Sequence, residues 1–558
     1  MKYCLMLVFT IIYFTAEAQE NYSTLTQKAL ETMWKAKDET GYKTALKMYE
    51  NAFKIYPDSI DITGLYKASV IASELKDYDT AFKYLIPLVT IKINKNDDVG
   101  WSYIVGEYSE GEYKNLLSDP RWEKLKEIAL KKKKQFYLEL QKNQEEFYTI
   151  SENNLSGIND GKILYNEIKV FNPYIAKKNR DYSISLKIND TSKTSFLIHL
   201  PKNYNPKKKY SVLFFLHGAV KSNALSDFQT AGANLGDWNR YYTKYADQDD
   251  VILVFPKGSR EFNWMSPDDG FFMIPKIVDL IKKSVNVNDN KVFISGHSNG
   301  ATGSFSYLMK QPTKFAGFYG FNTYPKVFTG GTFVQNIKNR SFINFSTDED
   351  YYYPTNANDD FTKLMRALKA DYKEYRYNGF PHWFPQFDES EPAYKILFSD
   401  ISNRERNPFP KEISWEFDND NYGKIDWISD MKLDTLIPNQ NTEEQPNFKI
   451  EKWLEYDKND SLIVKKVDKN AFDFPRKSGK ITAKYENNIF QMKVYSIKSL
   501  TIKISPEMVD LNKKIKVYIN GKLYFDKKLK YDTEFILENF DKDLDREQIW
   551  VNEIKLEI

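Results

Sequence analysis

The chain has 558 residues, which is too many for one hydrophobic core, so several domains are expected. Its 80 lysine and arginine residues nearly balance its 77 aspartate and glutamate residues, and the net charge is +3. So small an excess provides no general field for attracting nucleic acid or an anionic membrane, and we expect neither as a partner.

The first 18 residues have the pattern of a secretory signal peptide. A basic start precedes an apolar stretch over residues 3–14, and small residues follow at Ala16 and Ala18. The stretch is too short to span a bilayer, and no later segment approaches about 20 apolar residues. We therefore expect residues 1–18 to be removed and the mature protein to be secreted or periplasmic, without membrane insertion.

Cysteine content narrows the chemistry further. Cys4 is the only cysteine, and it precedes the apolar stretch, whereas a lipid-attached cysteine would follow it. Removal of the signal peptide leaves no cysteine. Disulfides, thiolate catalysis and cysteine metal sites are then excluded, and packing alone must stabilise the protein in an oxidising compartment.

Residues 19–150 are predicted to form a helical domain with an internal repeat. Four residues at helical spacing share one face: Tyr42, Ala45, Tyr49 and Ala52. A second set begins thirty-six residues later: Tyr78, Ala81, Leu85 and Leu88. The pattern resembles tetratricopeptide repeats over two copies and a degenerate third near residues 113–125, although Leu88 replaces the expected alanine. The resemblance implies a stack that could bind a protein partner, while a packing or spacer role is equally open.

Residues 165–404 change to short apolar runs separated by helical patterns. The predicted strands are Ser195–Leu200, Ser211–Leu216, Val251–Phe255, Lys291–Ile294 and Phe342–Phe345. Strands that alternate with helices predict an α/β domain with a mostly parallel sheet.

Residues 408–558 are strand-like without helical periods. Asn520-Gly521 lies between two apolar strand patterns, which is a strong signal for a two-residue hairpin turn. We predict a separate β-rich domain here, resembling a small sandwich, and find no catalytic constellation in it.

A nucleophile motif follows one of the predicted strands. Gly296-His297-Ser298-Asn299-Gly300 comes directly after strand residues 291–295, and residues 301–310 then have a helical pattern. A turn this tight has no room for bulky neighbours, so the two glycines leave Ser298 exposed at the start of the helix. The context favours Ser298 as a catalytic nucleophile over an ordinary glycine-flanked turn.

The serine needs a base, and the chain has only 4 histidines. His199 lies in a predicted strand, His217 precedes a glycine in a loop, and His297 is part of the motif itself. His382 is the one histidine after the serine, in a loop whose prolines and aromatic residues could hold an imidazole. We predict His382 as the general base.

The third member of the triad should be a carboxylate that accepts the imidazole proton and fixes its tautomer. Three acids follow the predicted strand over residues 342–345, namely Asp348, Glu349 and Asp350. The residues alone leave the choice among them open.

An acyl-transfer site also needs N–H donors for the oxyanion. Asn299, directly after the serine, provides one backbone donor. The strand over residues 211–216 continues into His217-Gly218-Ala219, a His-Gly arrangement typical of an oxyanion loop. This predicts the Ala219 N–H as the second donor and gives His217 a structural role.

Residues from about 195 to 400 resemble the α/β-hydrolase superfamily, in particular poly(3-hydroxybutyrate) depolymerases and feruloyl esterase-like esterases. The resemblance rests on the nucleophile motif, the Pro312-x-x-Phe315-Ala316 segment and the segment Asn263-Trp264-Met265-Ser266-Pro267-Asp268-Asp269-Gly270-Phe271 before a helix. It implies an α/β-hydrolase sheet and ester hydrolysis. Pro275 within that helix departs from the pattern, and Asp268 and Asp269 could cap the helix or touch substrate.

The resemblance also orders the candidate acids. Residues 347–354 match the hydrolase loop Gly-x-x-Asp-x-x-Tyr-Pro when Asp350 is the acid, although Thr347 stands where the glycine is expected. Asp350 is therefore preferred, and Asp348 remains the alternative.

The predicted architecture is α/β: an α/β-hydrolase sheet over residues 165–404, an N-terminal helical-repeat module over 19–150 and a C-terminal β-rich domain over 408–558. The predicted function is a secreted serine hydrolase that cleaves carboxylic esters through an acyl-enzyme, without metal or cofactor. Analogy suggests acyl groups on polysaccharide or a polyester as substrate. A serine peptidase of the same fold and a catalytically inactive binding scaffold are the alternatives.

Overall fold

The computed structural model describes residues 21–91, 99–106, 109–152, 154–266, 268, 271–436 and 444–558. The predicted signal peptide lies outside these residues. The chain divides into two compact units, of which the first ends at Glu139 and the second is Leu140–Ile558. Within the described ranges, no helix combines the length and apolar character needed to cross a membrane.

The first unit is helical. Its elements are α1 (Tyr22–Lys35), α2 (Glu39–Ile55), α3 (Ile62–Glu74), α4 (Tyr78–Thr90), α5 (Ser102–Val105), α6 (Ser109–Glu112) and the first part of α7 (Pro120–Tyr148). The first four helices each begin after an Asn or Asp whose side chain accepts a hydrogen bond from a backbone N–H of the first turn. Such caps satisfy donors that the helix itself leaves unpaired, which explains these starting points.

The predicted repeat face is the buried face of two of these helices. Ala45, Tyr49 and Ala52 are buried on α2, and Ala81, Leu85 and Leu88 are buried on α4. The periodicity therefore reports packing within the helical unit. The tetratricopeptide resemblance and a protein partner for this unit stay predictions.

The second unit begins with the last part of α7, continues with α8 (Gly161–Val170) and contains an eight-stranded sheet. Its strands are β1 (Asp181–Lys187), β2 (Lys193–His199), β3 (Tyr210–Leu216), β4 (Ile252–Pro256), β5 (Val287–Gly296), β6 (Gly317–Phe321), β7 (Ser341–Glu349) and β8 (Tyr372–Pro381). The helices among them are α9 (Ala231–Asn234), α10 (Arg240–Asp249), α11 (Met273–Lys282), α12 (Asn299–Lys310), α13 (Thr355–Ala367) and α14 (Glu391–Asn403).

The strand order is β1-β2-β4-β3-β5-β6-β7-β8. Strand β2 pairs antiparallel with β1 and β4, and all later pairings are parallel. The predicted mostly parallel α/β sheet is therefore confirmed. Parallel strands bring their carboxyl ends to one edge, which is where binding sites form in such sheets.

Pro275, the departure noted in the sequence, lies in the first turn of α11. Backbone N–H groups in a first turn have no partner within the helix, so a proline there removes no hydrogen bond. The helix continues to Lys282 without interruption.

The described residues of the C-terminal part form ten strands in three sheets and one α-helix. The strands are β9 (Glu412–Phe417), β10 (Ile428–Leu433), β11 (Lys449–Tyr456), β12 (Leu462–Asn470), β13 (Gly479–Glu486), β14 (Ile489–Tyr495), β15 (Ile497–Ile504), β16 (Ile515–Ile519), β17 (Lys522–Lys527) and β18 (Asn552–Glu557). The sheets are β10-β15-β18, β11-β12 and β17-β16-β14-β13-β9.

Asn520 and Gly521 form the predicted hairpin turn between β16 and β17, both with positive φ. The expectation that residues 408–558 lack helical periods is wrong in one place, because α15 (Thr533–Asp543) is a helix capped by Asp532.

This β-rich part packs against the α/β sheet within one compact unit. One continuous core contains Ile294 and Phe305 of the α/β part together with Trp415 and Trp427 of the β-rich part. Buried ion pairs join the same two parts: Lys310 with Asp418, Arg340 with Asp426, Lys282 with Asp545, and Arg546 with Asp289. The predicted ranges 165–404 and 408–558 thus share a core.

Candidate active site

The connection between β5 and α12 places Ser298 in a strained turn. Ser298 has φ 57° and ψ −122°, a region that non-glycine residues rarely occupy. A Cβ on Gly300 would come within 1.7 Å of the Leu216 carbonyl oxygen, and one on Gly296 within 2.3 Å of the Gly300 carbonyl carbon. The two glycines are therefore a steric requirement of the turn, and Ser298 stays partly exposed at its tip.

The structure brings Ser298, His382 and Asp350 together at the carboxyl edge of the sheet. The Ser298 Oγ lies 2.8 Å from His382 Nε2, and His382 Nδ1 lies 2.7 Å from Asp350 Oδ1. These residues follow β5, β8 and β7, respectively. His382 and Asp350 are 7% and 1% exposed, so water competes little for the hydrogen bond between them.

The two candidate acids have different surroundings. Asp350 is held by the backbone N–H of Tyr352 at 2.8 Å and by the side-chain amide of Asn322 at 3.1 Å, besides its bond to His382. Asp348 is partly exposed and accepts a hydrogen bond from the backbone N–H of Gly379 at 2.7 Å. Only Asp350 of these two contacts the imidazole.

Both predicted oxyanion donors flank the serine. A Cβ on Gly218 would meet the Ser298 Cβ at 3.1 Å, so the loop after β3 lies directly against the serine. Ala219 follows with φ 52°, and Asn299 is the first residue of α12. Neither backbone N–H has a hydrogen-bond partner in the described part of the chain. Two free donors beside a serine are what an oxyanion would require.

His297 and His217 support the loops around the serine. The His297 Nε2–H donates to the carbonyl oxygen of His382 at 2.7 Å. His217 accepts a hydrogen bond from the Gly258 N–H at 3.0 Å and donates to the Gly218 carbonyl at 2.7 Å. Burial, the main cause in each case, lowers the pKa of His297 to about 3 and of His217 to about 4. Both rings are therefore neutral at ordinary pH.

Three polar contacts near the triad had no sequence signal specific enough to find them. Asn322 follows β6 with φ 54° and donates to Asp350, a left-handed position that asparagine tolerates. The Tyr352 hydroxyl lies 3.0 Å from the Asn299 side-chain amide and 3.1 Å from Thr302 Oγ1. Burial raises the pKa of Tyr352 to about 12, so this hydroxyl remains a neutral partner.

Asp268 does not cap the helix that follows it, and its contact with substrate stays a prediction. Its carboxylate pairs with Arg476 at 2.7 Å and accepts a hydrogen bond from the Tyr422 hydroxyl at 3.3 Å, while α11 begins after Phe272 without a side-chain cap. Asp269 lies outside the described residues. Among the residues that are described, no group of three or more His, Cys, Asp and Glu side chains is arranged to hold a metal ion.

Comparison with known proteins gives one match to a family and several to solved structures. Structural matches include a thermostable esterase (19% identity, TM-score 0.33, 41% of this chain and 64% of that one) and a ferulic acid esterase (18%, 0.32, 39% and 97%). The fluorophosphonate-binding serine hydrolase FphF of Staphylococcus aureus also matches (15%, 0.30, 40% and 99%). The chain thus spans less than two thirds of the thermostable esterase. No curated protein matches the chain.

The family match covers residues 191–325, and the family is described as “Putative esterase”. This range includes Ala219, Ser298 and Asn299 and ends before Asp350 and His382. Over these residues the chain is similar to esterases, in the part of the α/β sheet that carries the serine.

Proposed function

We propose that the protein is a serine hydrolase that cleaves carboxylic esters through an acyl-enzyme. The observation that carries the proposal is the hydrogen-bonded series Ser298–His382–Asp350, with distances of 2.8 Å and 2.7 Å. The esterase family match over residues 191–325 supports an ester as the substrate. By analogy, the candidates for the natural substrate are acyl groups on polysaccharide and polyesters.

In the proposed reaction, the Ser298 hydroxyl attacks the ester carbonyl carbon while His382 Nε2 accepts its proton. Asp350 accepts the Nδ1–H, which fixes the tautomer with a free Nε2 and stabilises the imidazolium that forms. The negative oxygen of the tetrahedral intermediate then accepts hydrogen bonds from the Ala219 and Asn299 N–H groups. Because these donors have no other partner among the described residues, no existing bond there is broken to form the new ones.

Collapse of the intermediate releases the alcohol, whose oxygen takes the proton from His382. Water then attacks the acyl-enzyme with His382 again acting as base, and Ser298 is regenerated. The neutral His297 contributes by holding the His382 backbone carbonyl at 2.7 Å. That contact limits the positions available to the imidazole.

The direct test is hydrolysis of p-nitrophenyl acetate and butyrate by the purified protein, compared with Ser298→Ala and His382→Ala. Either substitution should lower turnover by roughly 10⁴-fold or more, because the nucleophile and its base act as a unit. Ser399→Ala is the matched control, since Ser399 is an exposed serine on α14. It should leave turnover unchanged.

The same measurement separates the alternatives. Turnover of peptide p-nitroanilides above that of the esters would favour a serine peptidase. Absence of both activities, together with no labelling of Ser298 by a fluorophosphonate probe, would leave the binding scaffold.

Export is a separate proposal, supported by the pattern in residues 1–18, and mass spectrometry of the protein from culture should find Gln19 at the N-terminus.

A further inference from the structure

The two-stranded sheet formed by β11 and β12 extends from the β-rich part toward the candidate site. Isolated two-stranded hairpins are marginally stable, so contacts elsewhere must hold this one in place. The Asn356 side chain donates to the Lys452 carbonyl at 3.2 Å. The ring of Trp453 lies 5.6 Å from that of Tyr324 and 6.0 Å from that of Tyr353. These contacts seat β11 beside the loop that follows β7.

Aromatic rings continue from this hairpin to the imidazole of His382. Tyr351 lies 5.1 Å from the His382 ring, and Tyr456 of β11 lies 5.5 Å from Tyr351. We call Tyr324, Tyr351, Trp453 and Tyr456 the aromatic wall. The wall combines residues of the catalytic loops with residues of the C-terminal part, more than 100 positions later in the chain.

The members of the wall differ in what they can contact. Trp453 is covered by Tyr324 and Tyr353 and by the Lys469 ammonium at 4.7 Å from its ring centre, so it positions the hairpin. Tyr456 is 40% exposed, and Tyr351 is half-buried. Among the described residues, neither of these two hydroxyls has a hydrogen-bond partner. Both rings can therefore meet a ligand with a face and a hydroxyl.

The position of the wall relative to His382 indicates which half of an ester it would meet. In acyl transfer the base passes its proton to the departing alkoxide, so the alcohol half must leave beside His382 Nε2. Tyr351 contacts that same imidazole, and Tyr456 extends the surface outward. The acyl half, by contrast, stays bound to Ser298 when the alcohol has left.

We propose that the aromatic wall binds the alcohol half of the ester and selects alcohols with a six-membered ring. The inference rests on the proposed ester hydrolysis. A flat ring would pack on the faces of Tyr351 and Tyr456. Aromatic side chains provide large contact areas and lose little conformational entropy on binding. An aryl alcohol and a pyranose share this ring face, and they differ in hydroxyls that the two tyrosine hydroxyls would bond.

The test holds the acyl group constant and changes the alcohol. The kcat/KM of the full-length protein is measured for ethyl acetate, benzyl acetate and methyl 6-O-acetyl-glucopyranoside by release of acid. Wild type should prefer at least one ring ester over ethyl acetate. Tyr456→Ala should lower kcat/KM for that ring ester by about tenfold and change ethyl acetate less than about twofold.

Two further variants separate the contributions. Tyr456→Phe keeps the ring, so it should retain a preference for benzyl acetate and lose part of a preference for the sugar ester. Val464→Ala is the matched control, because Val464 is a 64% exposed residue of β12 in the same hairpin and makes no ring contact with the site. It should leave all three values unchanged, and thermal unfolding would verify that each variant folds.

A second series keeps ethanol as the alcohol and compares acetate, butyrate and benzoate. Tyr456→Ala should leave the ratios within this series unchanged, because the wall faces the alcohol half. Altered acyl ratios, an equal loss for all esters, or an unaltered ring preference would each overturn the inference. Failure of the proposed function has another signature, namely no turnover of any ester and no fluorophosphonate labelling of Ser298.

Discussion

Two buried aspartates of the same sheet have opposite kinds of partner. At the carboxyl edge, Asp350 faces the imidazole of His382 and receives neutral N–H donors. In the amino-terminal half of β5, Asp289 lies 2.8 Å from the Lys282 ammonium and 3.2 Å from the Arg546 guanidinium. Both aspartates are 1% exposed. Burial alone therefore does not distinguish the two acids, whereas the chemistry of their partners does.

The cations around Asp289 belong to a set of buried ion pairs. Burial by itself would lower the pKa of Lys282, but Asp289 and Asp545 outweigh it and hold this pKa above its usual value. Arg406 pairs with Asp545 at 2.9 Å, which satisfies the second acid. Each of the three cations thus pairs with one of the two acids, and the set joins β5 to the segment before β18. Its role is to fix the C-terminal part on the sheet.

Of the two aspartates, the proposed triad acid Asp350 should have the larger effect on turnover when it is exchanged. Asp350→Asn should lower kcat by about 10⁴-fold, because an amide cannot accept the Nδ1–H in the same way or stabilise the imidazolium. Asp348→Asn is the matched comparison, since an asparagine oxygen can still accept the Gly379 N–H. It should retain activity within a few-fold. The opposite ranking in the p-nitrophenyl ester assay would make Asp348 the acid.

Exchange of Asp289 for asparagine should lower the stability of the protein and leave its turnover unchanged. Asp289→Asn removes the acid that pairs with the buried Arg546 and leaves Lys282 only Asp545 at 3.6 Å, which costs about 3–5 kcal/mol and should lower the Tm by several degrees. The ester turnover of the folded variant should equal that of wild type. Asp190→Asn is the control, because its pair with Lys187 is exposed and contributes about 0–1 kcal/mol. Equal Tm values for the two variants would contradict a stabilising role of the buried set.

Local patterns made most of the candidate site predictable. Ser298 was recognisable because its turn dictates small neighbours, and His382 because it is the one histidine after the serine. The preference for Asp350 needed the resemblance to a known loop, since three acids share that segment. The contacts of Asp350 now support this preference over Asp348.

Contacts between residues far apart in the chain could not be predicted from local sequence patterns. The Arg546–Asp289 bond joins residues 257 positions apart, and no periodicity reports such a pair. Trp453 and Tyr456 are ordinary strand residues in the sequence, and only the placement of the hairpin brings them to the catalytic loops. The sequence pattern does not indicate helix α15, although Asp532 provides an N-cap. Its eleven residues are a short segment between strand-like sequences, so their helical period is hard to recognise.

The smallest predicted effect concerns pH and tests the neutral His297. Its pKa is about 3 in the folded protein and about 6.5 in an unfolded chain. Below pH 6.5 the unfolded chain binds a proton at this position that the folded protein does not, so stability decreases as the pH falls. At pH 5 this histidine should account for a loss of about 2 kcal/mol.

His297→Gln removes the titration and keeps a side-chain amide that can donate to the His382 carbonyl. Whatever its Tm at pH 7, the variant should lose less stability than wild type between pH 7 and pH 5, as followed by thermal unfolding. Between pH 7 and pH 8 the difference between the two proteins should change by only about 0.1 kcal/mol, because histidine is then mostly neutral in both states. A constant difference down to pH 5 would mean that the folded protein protonates His297 normally, and the support that its neutral ring gives to the His382 loop would have to come from another group.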